Sequence, residues 1–471
     1  MSRPRVVILG AGPAGAGGAW QLARQDRAEV TVVEANAAVG GNAGSFEWGG
    51  QRLDFGSHRL HPATAPEILE DIKGLLGDQL LDRPRHGRIR LRGTWIHFPL
   101  KPFDLLLRAN KRFAAGTLID MVKKGLPGVK DEGNTFASVL EANLGSTICR
   151  DFYFPYAVKM WGRDATELSA IQARRRVSAG SFTKLIGKIL GALPGLKKPG
   201  AGRFFYPKRN FGAITEAYAE AAEAEGATFL MSTRVTGLEA TDDGWTVTVR
   251  KGDEEQILEA DYVWSTIPVT LLSRLVATPP PAAVTAAAEA MRFRSMILVY
   301  LKLPVAQFTE YDAHYFPGAN VAITRLSETK NYCAATEPRD STVICAELPC
   351  SQDDAYWEMS DAELGTVVAE ALGIAGVPLP APPSDVLTRR LTHAYPIYLN
   401  GYEEHFQVLD DWASALPRLL SYGRQGLFAH DNTHHALAMA YAATECMNEG
   451  EFDLGMWADY RRDFEKHVVE D

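Results

Sequence analysis

The chain opens on an unbroken apolar run, Val6-Val7-Ile8-Leu9, which gives way at once to glycines and then to a helical repeat. A short continuous apolar run bounded by turn residues marks a strand buried on both faces. The pattern therefore predicts a strand over Arg5–Leu9, a helix opened by Gly10-x-Gly12-x-x-Gly15, and a second strand over Val30–Glu34. The segment 47–54, EWGGQRLD, reads as a hairpin turning on Gly49-Gly50. Helical spacing follows at 66–80, 103–125, 136–145 and 212–225. A β-rich run then covers Thr228–Ser232, Val235–Ala240, Trp245–Lys251 and Glu255–Leu258, and Asp261–Pro268 reads as a buried strand leading to a loop. Residues 294–303, 320–326 and 342–350 predict strands of a second sheet. Pro378–Pro383 reads as a loop, and Gly426–Glu445 as a loop followed by a helix.

The first 41 residues carry the strongest chemistry. Strand, three glycines, helix, strand and terminal acid come in the order of a dinucleotide-binding βαβ unit. Gly10 permits the tight turn, Gly12 admits a pyrophosphate to the backbone, and Gly15 lets helix pack on strand. The free N–H groups and dipole at the helix N-terminus favour that anion. Glu34 offers a carboxylate to the adenosine ribose. Gly40-Gly41, just beyond, suits a backbone wrapped around a flavin nucleotide, although NAD is not excluded by the first unit alone.

Composition narrows the setting. At 471 residues the chain has room for two or three domains, and its net charge of −9 gives no general pull toward nucleic acid. Five cysteines without CxxC spacing argue against structural zinc or a disulfide framework, and fit a reducing, cytoplasmic compartment. The first strand begins at Arg5, which leaves no room for a signal peptide, and no apolar run reaches the roughly 18 residues of a spanning helix. His430, His434 and His435 lack a partner with ligand spacing, so no metal is expected. Residues 181–198 form a basic amphipathic stretch, which fits a packed helix, a lid or a weak peripheral membrane contact.

Several blocks together resemble one superfamily. They are GAGPAG at 10–15, LDFGSHRLHP at 53–62, FPYAVKMWG at 154–162, the run Arg174–Arg176, FFYPKRNFG at 204–212, DYVWSTIP at 261–268, AYPIYLNGY at 394–402, and GRQGLFAHDNTHHAL at 423–437. The chain resembles the FAD-dependent superfamily that includes protoporphyrinogen oxidase, amine oxidases and UDP-galactopyranose mutase. The resemblance implies an α/β fold of the p-hydroxybenzoate-hydroxylase type, in which a Rossmann-type FAD-binding domain is interleaved with a mixed-sheet substrate domain and a helical insertion. The expected division is 1–100, 203–275 and 411–471 for FAD, 101–202 for the insertion, and 276–410 for substrate.

The resemblance also implies non-covalent FAD. Its expected contacts are Gly10, Gly12, Pro13, Ala14, Gly15, Glu34, Ala35, Gly41, Asn42, His58, Arg59, Val235, Gly423, Arg424 and Thr433. His58 sits in the block that lies against the isoalloxazine in the family, and the helix from about Thr433 would aim its N-terminus at the flavin O2 region. Arg174, Arg176, Tyr395, Tyr398 and His430 are the expected substrate contacts, and His58, His430 and Arg176 the expected catalytic groups. Relatives carry an arginine–tyrosine pair where this chain has Ala429 and His430, which counts against a strict mutase. The expected activity is an FAD oxidoreductase whose flavin N5 accepts hydride from a small molecule. A redox-neutral mutase acting on a nucleotide sugar and a non-catalytic flavin protein are the alternatives, and a homodimer stays open.

Overall fold

The computed structural model describes residues 3–98, 111–124, 133–176 and 202–469. The stretch 181–198 lies outside them, as does the part 103–110 of the helix expected at 103–125; the described part is the helix Lys111–Lys124.

Five parallel strands form the nucleotide sheet. Their order is Leu419–Ser421, Tyr262–Ser265, Arg5–Leu9, Glu29–Val33 and Thr228–Leu230. Val7, Ile8 and Leu9 are buried on both faces, as a continuous apolar run requires. The sheet therefore gathers strands from the beginning, middle and end of the chain. The helix Pro13–Arg24 crosses it, with the helices Ala213–Ala224 and Thr433–Glu445 packed alongside. The first helix can lie this close because Gly15 has no side chain: a methyl group there would stand 1.9 Å from the Gly10 carbonyl oxygen. A three-stranded antiparallel sheet, Arg234–Ala240, Trp245–Lys251 and Glu254–Ala260, flanks the domain. Val235 lies in its first strand, half-buried against the core under the nucleotide sheet.

The second domain is a seven-stranded mixed sheet. Its order is Asp385–Ile397, Arg292–Leu303, Thr342–Cys350, Arg325–Glu328, Ala313–Tyr315, Gly87–Leu91 and Thr94–Phe98. The last two strands were expected in the nucleotide domain. They join this sheet instead, through the parallel pairing of His314 with Arg88 and of Tyr315 with Ile89. The hairpin Ser45–Trp48/Gln51–Asp54 turns on Gly49 and Gly50, both with positive φ.

One strand was misplaced by the sequence pattern. Residues 320–324 are not extended; the strand starts at Arg325. The carbonyls of Phe316, Gly318 and Ile323 turn inward to the Lys159 ammonium rather than across to a neighbouring strand. The five cysteines are free and buried, and among the described residues no helix is long and apolar enough to cross a membrane.

Gly15→Ala tests the helix–strand contact. The added methyl meets backbone, which cannot rotate away, so the variant is expected to lose at least about 1–3 kcal/mol of stability. Thermal unfolding within a degree of the parent would show that the helix can move off the strand without cost.

Candidate active site

A cavity of about 530 Å³ runs between the two domains. One end is built by the βαβ unit. Gly10, Gly12, Pro13, Ala14, Glu34 and Asn36 line it, and a methyl group at Gly12 would have no atom within 4 Å. The N-terminus of the first helix has no side-chain cap, so its N–H groups remain for an anion. The Glu34 carboxylate accepts the Ala11 N–H at 2.8 Å through one oxygen, and the Asn36 N–H at 2.8 Å and Nδ2 at 2.6 Å through the other. The acid thus braces the glycine turn as well as facing the cavity. Gly41 and Asn42 line the next stretch, and Asn42 Nδ2 donates to the His393 carbonyl at 3.2 Å.

At the far end the walls come from distant parts of the chain. His58 stacks on Phe211, and its Nε2 lies 2.9 Å from the Phe55 carbonyl oxygen. A carbonyl can only accept, so Nε2 carries the proton and Nδ1 is left as the ring's acceptor. Burial pushes His58 below the ordinary histidine range, which keeps the ring neutral. The loop under His58 is fastened by buried Asp54, which accepts from Ser45 Oγ at 2.6 Å, Phe211 N at 3.0 Å and the Tyr206 hydroxyl.

His430, 1 % exposed, lines the same cavity, stacked on Tyr395 and meeting Tyr398 edge-on. Thr433 begins the helix behind it and lines the cavity. Arg424 also lines the cavity and holds this loop in place, donating to the carbonyls of Asp431 at 2.9 Å and Ala394 at 2.8 Å.

The family model of flavin containing amine oxidoreductases matches residues 18–442. This chain belongs to that family. The chain is 27% identical over 314 residues to phytoene dehydrogenase of Streptomyces griseus, which is 59% of this chain and 57% of that relative. It therefore spans little more than half of that relative's length. Among solved structures, reduced UDP-galactopyranose mutase superposes with a TM-score of 0.82 at 20% identity, covering 99% of this chain and 100% of the other. Putrescine oxidase bound to putrescine superposes with a TM-score of 0.66 at 19% identity, covering 94% and 98%. The chain shares their fold.

Several expected contacts are placed differently. Ala35 is exposed at the strand end, and Asn36 takes its place on the cavity wall. Gly15 and Gly423 do not line the cavity; they are packing positions, Gly15 under Gly10 and Gly423 against Ala14. Val235 stays in its flanking sheet, away from the cavity lining. Tyr398 is buried, stacks on Tyr402 and donates to the Phe428 carbonyl, so of this tyrosine segment it is Tyr395 that reaches the cavity. Arg174 is exposed, and the Arg176 side chain lies outside the described residues. Arg175, between them, turns inward to within 4.0 Å of Asp431. Helical geometry explains the exchange, since neighbouring residues point about 100° apart.

Other wall residues had no local signal. Arg325 donates through Nε at 2.9 Å and Nη2 at 2.8 Å to Glu347, and the same carboxylate oxygen accepts the Ser57 N–H at 2.9 Å. Arg59 lines the cavity but spends its guanidinium on the Tyr315 and Tyr332 hydroxyls and on Asp312. Tyr156 and Met160 come from the helix Phe154–Trp161, and Tyr315 from the mixed sheet.

At the start of the helix Thr433–Glu445, Asp431, His435 and His467 bring ligand atoms within 4.8 Å of one another. His435 Nδ1 already accepts the Asn432 N–H at 3.2 Å, and Arg175 stands within 4.0 Å of the carboxylate, so these groups have partners inside the protein. Burial pushes Asp431 up, but the His467 bond together with His435 and Arg175 outweighs it and holds the carboxyl below the ordinary range. Burial pushes His434 down to about 4 and His435 down to about 3.

Two predictions follow from this geometry. Glu34→Gln keeps the size of the side chain but gives up the charged acceptor, and is expected to weaken nucleotide binding by about 1.5–3 kcal/mol, read by titrating FAD into the apoprotein. Unchanged affinity would remove Glu34 from the site. Below about pH 6.5 the unfolded chain protonates His434 and His435 while the folded protein does not. The stability they allow at neutral pH is therefore lost as the pH falls toward 4, at about 1.4 kcal/mol per pH unit for each ring. His434→Leu should flatten the melting temperature between pH 6.5 and 4, and a profile as steep as the parent's would assign the acid sensitivity elsewhere.

Proposed function

We propose that the cavity binds one FAD without a covalent link, and that the protein is an oxidoreductase whose bound flavin takes hydride from a small molecule at the His58–His430 end. The observation that carries this reading is the single cavity joining the glycine turn and Glu34 to these two histidines. Its residues fit the cofactor. The open face at Gly12 and the uncapped helix suit a pyrophosphate, Glu34 a ribose, and the N-terminus of Thr433–Glu445 a ring edge that gains negative charge.

Bound flavin supplies a hydride acceptor at N5. The protein's own tasks are to orient, to exclude water and to hold protons. His58 stays neutral with its proton on Nε2, so Nδ1 can accept from a substrate donor. His430, packed among Tyr395, Tyr398 and Trp161, presents an imidazole to the same cavity. The Arg325–Glu347 pair fixes the floor beneath the His58 loop through Ser57. Substrates of the amine, porphyrinogen or unsaturated-hydrocarbon kinds come into view from the relatives.

One feature favours a second reading, a mutase acting on a nucleotide sugar. Arg59, Arg85 and Arg325 all line the wall where an anionic group could rest.

The purified protein should be yellow, and acid should release FAD rather than leave a bound chromophore. Anaerobic mixing with a panel of amines and reduced tetrapyrroles should bleach the flavin for one class. His430→Phe should slow that bleaching by roughly 10- to 1000-fold, the range for a positioned acid–base group. A colourless protein that binds NAD but cannot take up FAD would end this reading. Turnover of nucleotide sugars that requires prior reduction of the flavin would favour the mutase.

A further inference from the structure

The helix Phe154–Trp161 carries a lysine in an unusual place. Lys159 is half-buried, and its ammonium donates to the carbonyls of Phe316 at 2.6 Å, Gly318 at 2.6 Å and Ile323 at 3.3 Å. An ammonium has three hydrogens, and here each has an acceptor. The three carbonyls belong to one loop, 316–324, which joins the strands Ala313–Tyr315 and Arg325–Glu328. The loop closes on itself where Phe316 N donates to the Thr324 carbonyl at 2.9 Å. Where it meets the sheet, Tyr315 and Arg325 are direct cross-strand partners, and both line the cavity. On the helix, Tyr156 lies one turn before Lys159 and Met160 directly after it, and both line the cavity as well. A single charged group thus ties two separate pieces of wall together.

We propose that Lys159 is a positioning residue: by tying the helix that carries Tyr156 and Met160 to the loop between the strand ends Tyr315 and Arg325, it sets the width of the substrate side of the cavity. It touches neither the cofactor end nor the histidines. Loss of the ammonium takes the donor from the carbonyls of Phe316 and Ile323 and leaves Gly318 with the long Val321 N–H at 3.4 Å, so the loop must open to water to satisfy them. Tyr315 and Arg325 move with it, whereas the βαβ unit, built on another sheet, does not. The inference rests on the reading that this wall faces substrate.

The test compares the flavin-loaded parent with Lys159→Met and Lys159→Arg. The arginine keeps a buried cation able to reach several carbonyls. Benzoate is the probe, an aromatic anion suited to Tyr156, Tyr315 and the neighbouring guanidiniums, and its binding is read from the flavin absorbance difference. Lys159→Met is expected to weaken benzoate about 10-fold with flavin content unchanged, and Lys159→Arg to recover most of that loss. Hydrogen exchange should rise at 316–325 in the methionine variant and stay at the parent level in 5–34. Equal benzoate affinity in the parent and Lys159→Met would overturn the proposal. Loss of flavin from the methionine variant would also overturn it, because the lysine would then support the whole fold. If the parent holds flavin but shows no benzoate signal, the reading of this wall as the substrate side fails. The exchange pattern would still decide whether Lys159 holds the loop.

Discussion

Everything at the cofactor end depends on how closely the first helix approaches the first strand. With 1.9 Å between a methyl at Gly15 and the Gly10 carbonyl, no residue but glycine can occupy that position without moving the helix. The approach aims an uncapped helix terminus into the cavity, and Glu34 then locks the turn by accepting the Ala11 N–H. The acid does two things with one carboxylate. It closes the turn that makes the anion site, and it faces the same cavity beside that site. The strand on which it ends is held from both sides in a five-stranded parallel sheet, so the carboxylate is positioned by backbone rather than by a flexible loop.

The far end is organised on a different principle. Its walls are side chains delivered by long-range pairing and fixed by buried polar networks. Asp54 fastens the loop of His58, Arg424 holds the loop of His430, and Glu347 clamps Arg325 to the Ser57 backbone. Buried charges of this sort are stable only when each finds a partner, and here each partner belongs to another element. The histidine end is therefore a product of long-range pairing between distant strands and loops, whereas the glycine-turn end is built largely within residues 5–36.

That difference explains how much could be read in advance. The βαβ unit was legible because strand, glycines, helix and acid are local and their order is diagnostic. The hairpin at 49–50, the strands Trp245–Lys251 and Thr342–Cys350, and the helix from Thr433 were legible from periodicity and turn residues. Tyr315, Arg325 and Glu347 were not, because a tyrosine, an arginine and a glutamate in strands carry no pattern until the sheet places them side by side. Arg174 was chosen over Arg175 because a run of arginines does not say which one faces inward; the helix phase turns Arg175 toward Asp431 and leaves Arg174 exposed. The segment 320–324 looked like a strand because apolar residues alternate there, but cross-strand bonding begins at Thr324, and the Ile323 carbonyl before it turns to the Lys159 ammonium on another helix.

The central claim is that one flavin nucleotide spans this cavity from Glu34 to the space between His58 and His430. A crystal structure of the protein loaded with FAD tests it most directly. The account predicts the adenosine ribose against Glu34, the pyrophosphate at Gly12, and the isoalloxazine between the His58 loop and the N-terminus at Thr433, facing Tyr395 and Arg325. An isoalloxazine lying outside that space, or a nucleotide whose ribose avoids Glu34, would contradict it.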